Sequence, residues 1–205
     1  CDQNISSARI CARQMFVTNI DLAQIFAPLK EARGIVLALS GGPDSVAALA
    51  LLNKWPDHPP LYAATFDHGL RPQSRAEAEN CATLCAKLGI EHQILTWEGV
   101  KPATRIQEEA RAARYAALLD YARRKEADHL VTAHHADDQV ETILFRMIRG
   151  SSIGGLAGMK ATSSRGKINI TRPLLSMRKS ELIAICDAQG LPYIRDPSNE
   201  DPRFA

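Results

Sequence analysis

No Gly-Lys-Ser/Thr loop ending, no G-x-G-x-x-G fingerprint and no C-x-x-C pair occurs in this 205-residue chain. The first absence excludes the kinase and GTPase loop, whose lysine must reach the β and γ phosphates. The second argues against NAD or FAD. The third argues against a zinc or dithiol centre: the five cysteines are odd in number, and Cys81 and Cys85 are spaced for one helical face, as reduced structural thiols would be. There is also no secretory apolar core, no 18-residue apolar run and no lipidation signal, which points to a cytoplasmic protein with no membrane partner. The net charge is only +2, so bulk charge does not force a nucleic-acid reading. Basic residues are uneven, however, with Arg105, Arg111, Arg114, Arg123, Arg124 and Lys125 in one segment.

At 45% hydrophobic, the chain is long enough for one well-buried α/β domain. Residues 1–20 read as an irregular N-terminal segment without an assigned role, and the missing initiator Met suggests processing or offset numbering. Residues 21–205 form the expected domain. Strand-like runs lie at 35–39, 61–66, 92–97, 129–133 and 168–171; helical periodicity occupies 76–88, 105–124, 137–149 and 180–188. Such alternation predicts a mostly parallel sheet with helices on both faces and ligands at the carboxyl ends of the strands.

At the first of those ends stands Ser40-Gly41-Gly42-Pro43-Asp44-Ser45, between an apolar strand and the helical run 46–52. Glycines permit backbone angles closed to other residues and a close ligand approach, and a helix N-terminus offers free N–H groups to an anion. Ser40 and Ser45 can add hydroxyl donors, and Pro43 restricts the loop. The six residues read as a phosphate site; for Asp44 the plain alternative is a helix cap. Asp67-His68-Gly69-Leu70-Arg71 and His134-His135-Ala136-Asp137-Asp138 follow the second and fourth strands, where Asp137 or Asp138 could also serve as an N-cap. On the helix after His134, the stripe Val140, Ile143, Leu144, Met147 and Ile148 is expected to be core. Asp137 and Glu141 share a face at i and i+4, a like-charged pair that a bound cation would stabilise.

The glycine loop resembles the SGGxDS signature of the PP-loop ATP pyrophosphatases. That resemblance implies binding of ATP through its pyrophosphate and transfer of AMP to an oxygen, in a Rossmann-type domain of the adenine nucleotide alpha hydrolase kind. The strings Asp67 to Arg71, Ala110-Arg111-Ala112-Ala113-Arg114-Tyr115, Thr132 to Thr142, Arg149-Gly150-Ser151, Arg172-Pro173-Leu174-Leu175 and Asp196-Pro197-Ser198-Asn199 resemble, in the same order, the tRNA(Ile)-lysidine synthetase family over roughly 34–202. That family converts the wobble cytidine of an isoleucine tRNA with anticodon CAU to lysidine, using ATP and L-lysine. The family pattern runs on past Asn199 where this chain stops at Ala205, so a C-terminal tRNA-binding domain is expected to be absent from it; a homodimer is left open.

With ATP implied by the resemblance, Ser40, Gly41, Gly42, Pro43, Asp44, Ser45 and Arg111 are its binding candidates; Asp44 would bind an accompanying Mg²⁺ or orient the phosphates, and the spacing of Asp137 and Glu141 makes them further Mg²⁺ candidates. Asp44, Arg114, His134 and Asp137 are the catalytic candidates. Arg114 is suited to phosphate charge that grows in the transition state. For the base that neutralises the lysine amine, Asp137, Glu141 and His134 stay open. The glycine-rich stretch 150–160 reads as a mobile loop beside the site. The competing readings are tRNA 2-thiolation, opposed by the missing cysteine pair; a metal phosphoesterase built on Asp67-His68 and the His134 cluster; and a non-catalytic nucleotide module.

Overall fold

The computed structural model describes residues 20–99, 104–150 and 157–194. After a short helix α1 (Leu22–Ile25) and a 3-10 turn (Ala27–Leu29), strands and helices alternate: β1 (Ile35–Ala38), α2 (Pro43–Lys54), β2 (Leu61–Asp67), α3 (Ser74–Lys87), β3 (Glu91–Thr96), α4 (Ile106–Arg124), β4 (His129–Val131) and α5 (Ala136–Ile148). The hairpin β5 (Thr162–Arg165) and β6 (Ile168–Thr171) and the helix α6 (Lys179–Ala188) complete it. The six strands lie in the order β3-β2-β1-β4-β6-β5, parallel except for the β5–β6 pair. The expected parallel α/β sheet is present. The edge strand β5 was not foreseen, because Thr162-Ser163-Ser164-Arg165 has no buried residue to leave an apolar signature.

β1 reads as a continuous apolar run because its two faces serve two cores. Ile35 and Leu37 pack with α2, α3 and α6, whereas Val36 packs on the other face with Leu118, Tyr121 and Ala122 of α4. Alternate side chains of a strand point to opposite faces, so a strand covered on both sides has no polar side to show. The expected helices on both faces are therefore observed. Every residue from 45 to 52 of α2 is buried, since the helix lies between the sheet and α6.

One expectation fails. The stripe Val140, Ile143, Leu144, Met147 and Ile148 is not core: α5 has no buried residue, and Ile148 is 84% exposed. Amphipathic spacing records that a helix suits an apolar partner without saying where that partner is, and among the described residues nothing covers this face. Of the stretch 150–160, residues 151–156 lie outside the described residues, as do 1–19 and the Asp196 string. Residues 157–160 are tied to α5: Gln139 Nε2 donates to the Met159 carbonyl at 2.9 Å, and Arg146 donates to the carbonyl of Ala157.

The order places β1 and β4 side by side, with the chain leaving in opposite directions from them. That is the topological switch point, where the loops after the two strands part and leave a crevice. The glycine loop follows β1 and the His134 cluster follows β4.

Candidate active site

The glycine loop is organised by its own groups. Ser40 N–H donates to Ser45 Oγ at 3.1 Å, Ser45 Oγ donates to the Gly42 carbonyl at 3.0 Å, and the two hydroxyls lie 3.0 Å apart. Gly41 has φ +83°, a backbone conformation that favours glycine, and a Cβ there would stand 2.6 Å from Ile194 Cδ1 and 3.1 Å from Cys81 Sγ, so a side chain would also have to push those groups aside. Its carbonyl accepts from Ile194 N–H at 2.8 Å. Gly42 is the N-cap of α2 and Pro43 stands in the first turn, where its missing N–H costs nothing. Asp44 is thus inside the helix start, and the capping alternative for it falls away. Its Oδ1 is buried with no hydrogen-bond partner among the described residues, an acceptor without a donor.

Opposite Asp44 stands His135, which the sequence offers only as a ligand in the competing phosphoesterase reading. It is the N-cap of α5: its Nδ1 accepts from Asp138 N–H at 3.4 Å and its own N–H donates to Asp138 Oδ2 at 2.9 Å, a reciprocal capping box. The cap is therefore neither Asp137 nor Asp138 itself. Accepting at Nδ1 leaves the proton on Nε2, which points toward Asp44 Oδ2 at 3.6 Å and Asp138 Oδ2 at 3.7 Å. Burial alone would lower the pKa of this ring, but the carboxylates of Asp44, Asp138 and Asp137 raise it on balance. Two adjacent histidines masked the difference between them. The available signal was position: the last residue before a helix with an acid three places on.

His134 has the opposite electrostatics. Its Nδ1 lies 2.9 Å from Thr132 Oγ1. Desolvation first, offset in part by Asp138 and reinforced by Arg172, Arg111 and Arg114, pushes its pKa down to about 4, so the ring is neutral at pH 7. It opens on a cavity of about 830 Å³ that also reaches Ser40, Asp44 and Ser45 of the loop and Arg111, Arg114 and Tyr115 of α4. Both guanidinium groups lie over the Tyr115 ring, at 5.3 and 5.6 Å from its centre, a cation–π arrangement that holds them at the cavity wall. Burial lowers the pKa of Arg114, which nevertheless remains a cation.

The basic segment of α4 is accordingly split in two. Arg111 and Arg114 face the cavity, while Arg123 and Arg124 pair with Asp120 and Lys125 pairs with Glu91 on the surface. The two cysteines of α3 and Cys186 of α6 are buried, as structural thiols would be; burial raises the pKa of all three, to about 12 for Cys85 and Cys186.

Other candidates are engaged elsewhere. Asp137 is exposed, and its Oδ2 accepts from Lys179 N–H at 2.8 Å, which lowers its pKa and ties α5 to α6. Glu141 is exposed one turn on. Buried Asp67 accepts from Ser74 Oγ at 2.7 Å and from Gly69 N–H at 3.0 Å, so it shapes the turn after β2. Among the described residues, no group of three or more His, Cys, Asp or Glu is gathered to hold a metal. No described helix is long and apolar enough to cross a membrane.

A family model described as a PP-loop domain matches residues 15–205. The chain belongs to that family. This PP-loop domain is 50% identical over 174 residues to the tRNA(Ile)-lysidine synthase of Methylobacterium nodulans, covering 85% of this chain and 51% of that protein. With the tRNA(Ile)-lysidine synthase of Bradyrhizobium sp. (strain BTAi1) it shares 44% identity over 192 residues, 92% of this chain and 54% of the relative. The PP-loop domain thus spans about half the length of the curated relatives it matches. Among solved structures, the U34-tRNA thiolase NcsA from Methanococcus maripaludis superimposes with a TM-score of 0.74 at 20% identity, over 90% of this chain and 67% of that one. At that identity the likeness establishes the fold.

Proposed function

We propose that this PP-loop domain is the catalytic part of an enzyme that joins L-lysine to C2 of the wobble cytidine in an isoleucine tRNA with anticodon CAU, through a C2-O-adenylate, with AMP and pyrophosphate released. One observation carries the reading: a single cavity joins the glycine loop, two arginines and a neutral histidine at a sheet switch point. The names of the relatives supply the substrate class.

In the first step, ATP would lie with its phosphates on the loop Ser40 to Ser45 and the positive end of α2. Arg114, with Arg111 beside it, would neutralise charge that grows as the cytosine C2 oxygen attacks the α-phosphorus and pyrophosphate leaves. The buried, unpartnered Oδ1 of Asp44 fits a Mg²⁺ carried by the triphosphate, and such an ion would screen the phosphates from that carboxylate. Asp137 and Glu141, the further ligands proposed for it, stand exposed at the start of α5 and are not gathered with Asp44 as the described residues lie. His134, neutral with a ring nitrogen set by Thr132, would hydrogen-bond the reacting phosphate or the base. In the second step the lysine amine displaces AMP from C2, with Asp137, Glu141 or His134 taking the proton. Cytoplasmic action follows from the substrate.

The buried, high-pKa thiols Cys81, Cys85 and Cys186 argue against sulfur transfer. The test is direct. Full-length protein with ATP, Mg²⁺, lysine and the CAU tRNA is expected to yield AMP, pyrophosphate and a lysine adduct at the wobble cytidine, read by nucleotide analysis and mass spectrometry of the digested tRNA. ADP as product, hydrolysis without ATP, or lysine-independent sulfur incorporation would each replace this reading.

A further inference from the structure

Charge is distributed unevenly along the chain. Residues 142–180 contain eight lysines and arginines and no aspartate or glutamate, so with +2 for the whole the remainder is net −6. The fold gathers the described parts of this segment, 142–150 and 157–180, side by side. Gln139 and Arg146 of α5 bind the backbone of Met159 and Ala157; Arg172 N–H donates to the Ala161 carbonyl, and Arg172 Nη1 to the Lys160 carbonyl at 3.0 Å. Ser163 pairs with Ile170 across the hairpin. Arg149, Lys160, Arg165, Lys167 and Arg178 are exposed, and none forms an ion pair with a carboxylate among the described residues. The contrast with α4 is sharp, since its outer cations are paired with Asp120 and Glu91.

Two features orient this surface toward a ligand. The Arg149 guanidinium lies 4.1 Å from the centre of the exposed Phe145 ring, a flat cationic platform of the kind on which unstacked bases settle. Arg172 lies close enough to His134 to depress its pKa, and its Nε–H is buried without a hydrogen-bond partner among the described residues. Arg172 follows Thr171, whose carbonyl accepts from Thr132 N–H at 3.0 Å, so the basic surface approaches the cavity wall at Thr132 and His134.

We propose that a single-stranded RNA loop docks on this face, its phosphates on Lys160, Arg172 and Arg149 and a base on Phe145, so that the next base along can enter the cavity. The proposal rests on the tRNA-modifying reading above and says where that RNA lies. Charge complementarity selects the occupant. A second copy meeting the same face in a two-fold contact would oppose two predominantly cationic surfaces, which repel. A lipid headgroup layer has no use for a flat guanidinium-on-ring platform beside the cavity, whereas an unstacked base settles on one.

The experiment is a titration of full-length protein against a fluorescent CAU anticodon stem–loop RNA over a range of salt, for wild type, the double variant Arg149→Glu/Lys160→Glu, Phe145→Ala and the control Arg123→Glu. All four positions are exposed, so folding is preserved. The double variant is expected to bind at least ~10-fold more weakly and to lose about 1.4 from the slope of log affinity against log salt, two single-strand phosphate contacts' worth. Phe145→Ala is expected to weaken binding by about 5-fold or more with the slope unchanged, from lost stacking. ATP affinity and the Arg123→Glu control should stay at wild-type values. A double variant that binds and modifies RNA as wild type does overturns the surface alone. So does a change from dimer to monomer by light scattering that accounts for the lost affinity, or binding to phosphatidylserine vesicles that RNA fails to displace. A wild type that binds no RNA overturns the functional reading together with the surface.

Discussion

Helices α2 and α5 leave the sheet from adjacent strands, and each brings a charged or titratable group to the same crevice from its first turn. Beyond that turn they are opposites. α2 is apolar around its whole circumference and buried from 45 to 52, whereas α5 has a regular apolar stripe and no buried residue. The difference teaches that a helix can hold one end of an active site in two ways. α2 does so by packing, with Cys186 Sγ of α6 donating to the Pro43 carbonyl at 3.3 Å just behind the glycine loop. α5 does so chiefly by end contacts: the His135 capping box, Ala136 N–H donating to the Met177 carbonyl at 2.8 Å, and Lys179 N–H donating to Asp137, with Gln139 and Arg146 adding bonds to the backbone of Met159 and Ala157. The body of α5 stays available for a partner.

The largest effect should come from removing packing on one side of this pair and not on the other. Leu49→Ala in α2 is expected to cost about 2–5 kcal/mol of stability by leaving a cavity in a close-packed layer, whereas Leu144→Ala on the exposed stripe should change stability by less than about 0.5 kcal/mol. Denaturant midpoints at equal slope measure both. Equal losses would mean that α5 is packed in the complete protein and that the contrast belongs to this domain alone.

Next in size is the chemistry that each first turn supports. Asp44→Asn is expected to lower AMP formation about 100-fold, the scale for removing a group that organises transition-state charge, with the thermal midpoint unchanged because Asp44 does not cap α2. His135→Asn should keep the helix cap, since asparagine caps well, yet cannot extend an N–H to Asp44; it should lower kcat less than Asp44→Asn does and leave KM for lysine unaltered. Near-normal AMP production by Asp44→Asn would make the packed helix a scaffold with no catalytic part.

The smallest effect concerns pH. His134 has its pKa at about 4 in the folded protein against 6.5 ordinarily, so on acidification the unfolded chain takes up this proton first. Stability from this residue is complete above pH 6.5, falls as the pH drops toward 4, and is then level. His134→Gln should flatten that part of the stability–pH curve. An equally steep curve in the variant would assign the pH dependence to His135 and the carboxylates at the start of α5.

Most of the framework was legible in the chain. Short buried strands bounded by turn residues, and helices with regular apolar spacing, are local patterns, and the glycine loop could be read because φ +83° at Gly41 and the absence of a Cβ are properties of one residue type. Asp44, Arg111, Arg114 and His134 were legible as candidates for the same reason: each lies a few residues from a strand end or within one helical turn of its partner. What the chain could not disclose was which groups meet across the sheet. His135 looked like a copy of His134, and only the approach of α2 to α5 sets it against Asp44 in a nest of carboxylates while its neighbour is desolvated among three arginines. The stripe on α5 was visible as a pattern but misread as core, and six basic residues in one segment looked like a single patch until the helix turned two of them inward and paired three outside. Periodicity and composition are set by neighbours in sequence, whereas burial, pairing and pKa are set by neighbours in space, and for those the order β3-β2-β1-β4-β6-β5 had to be formed first.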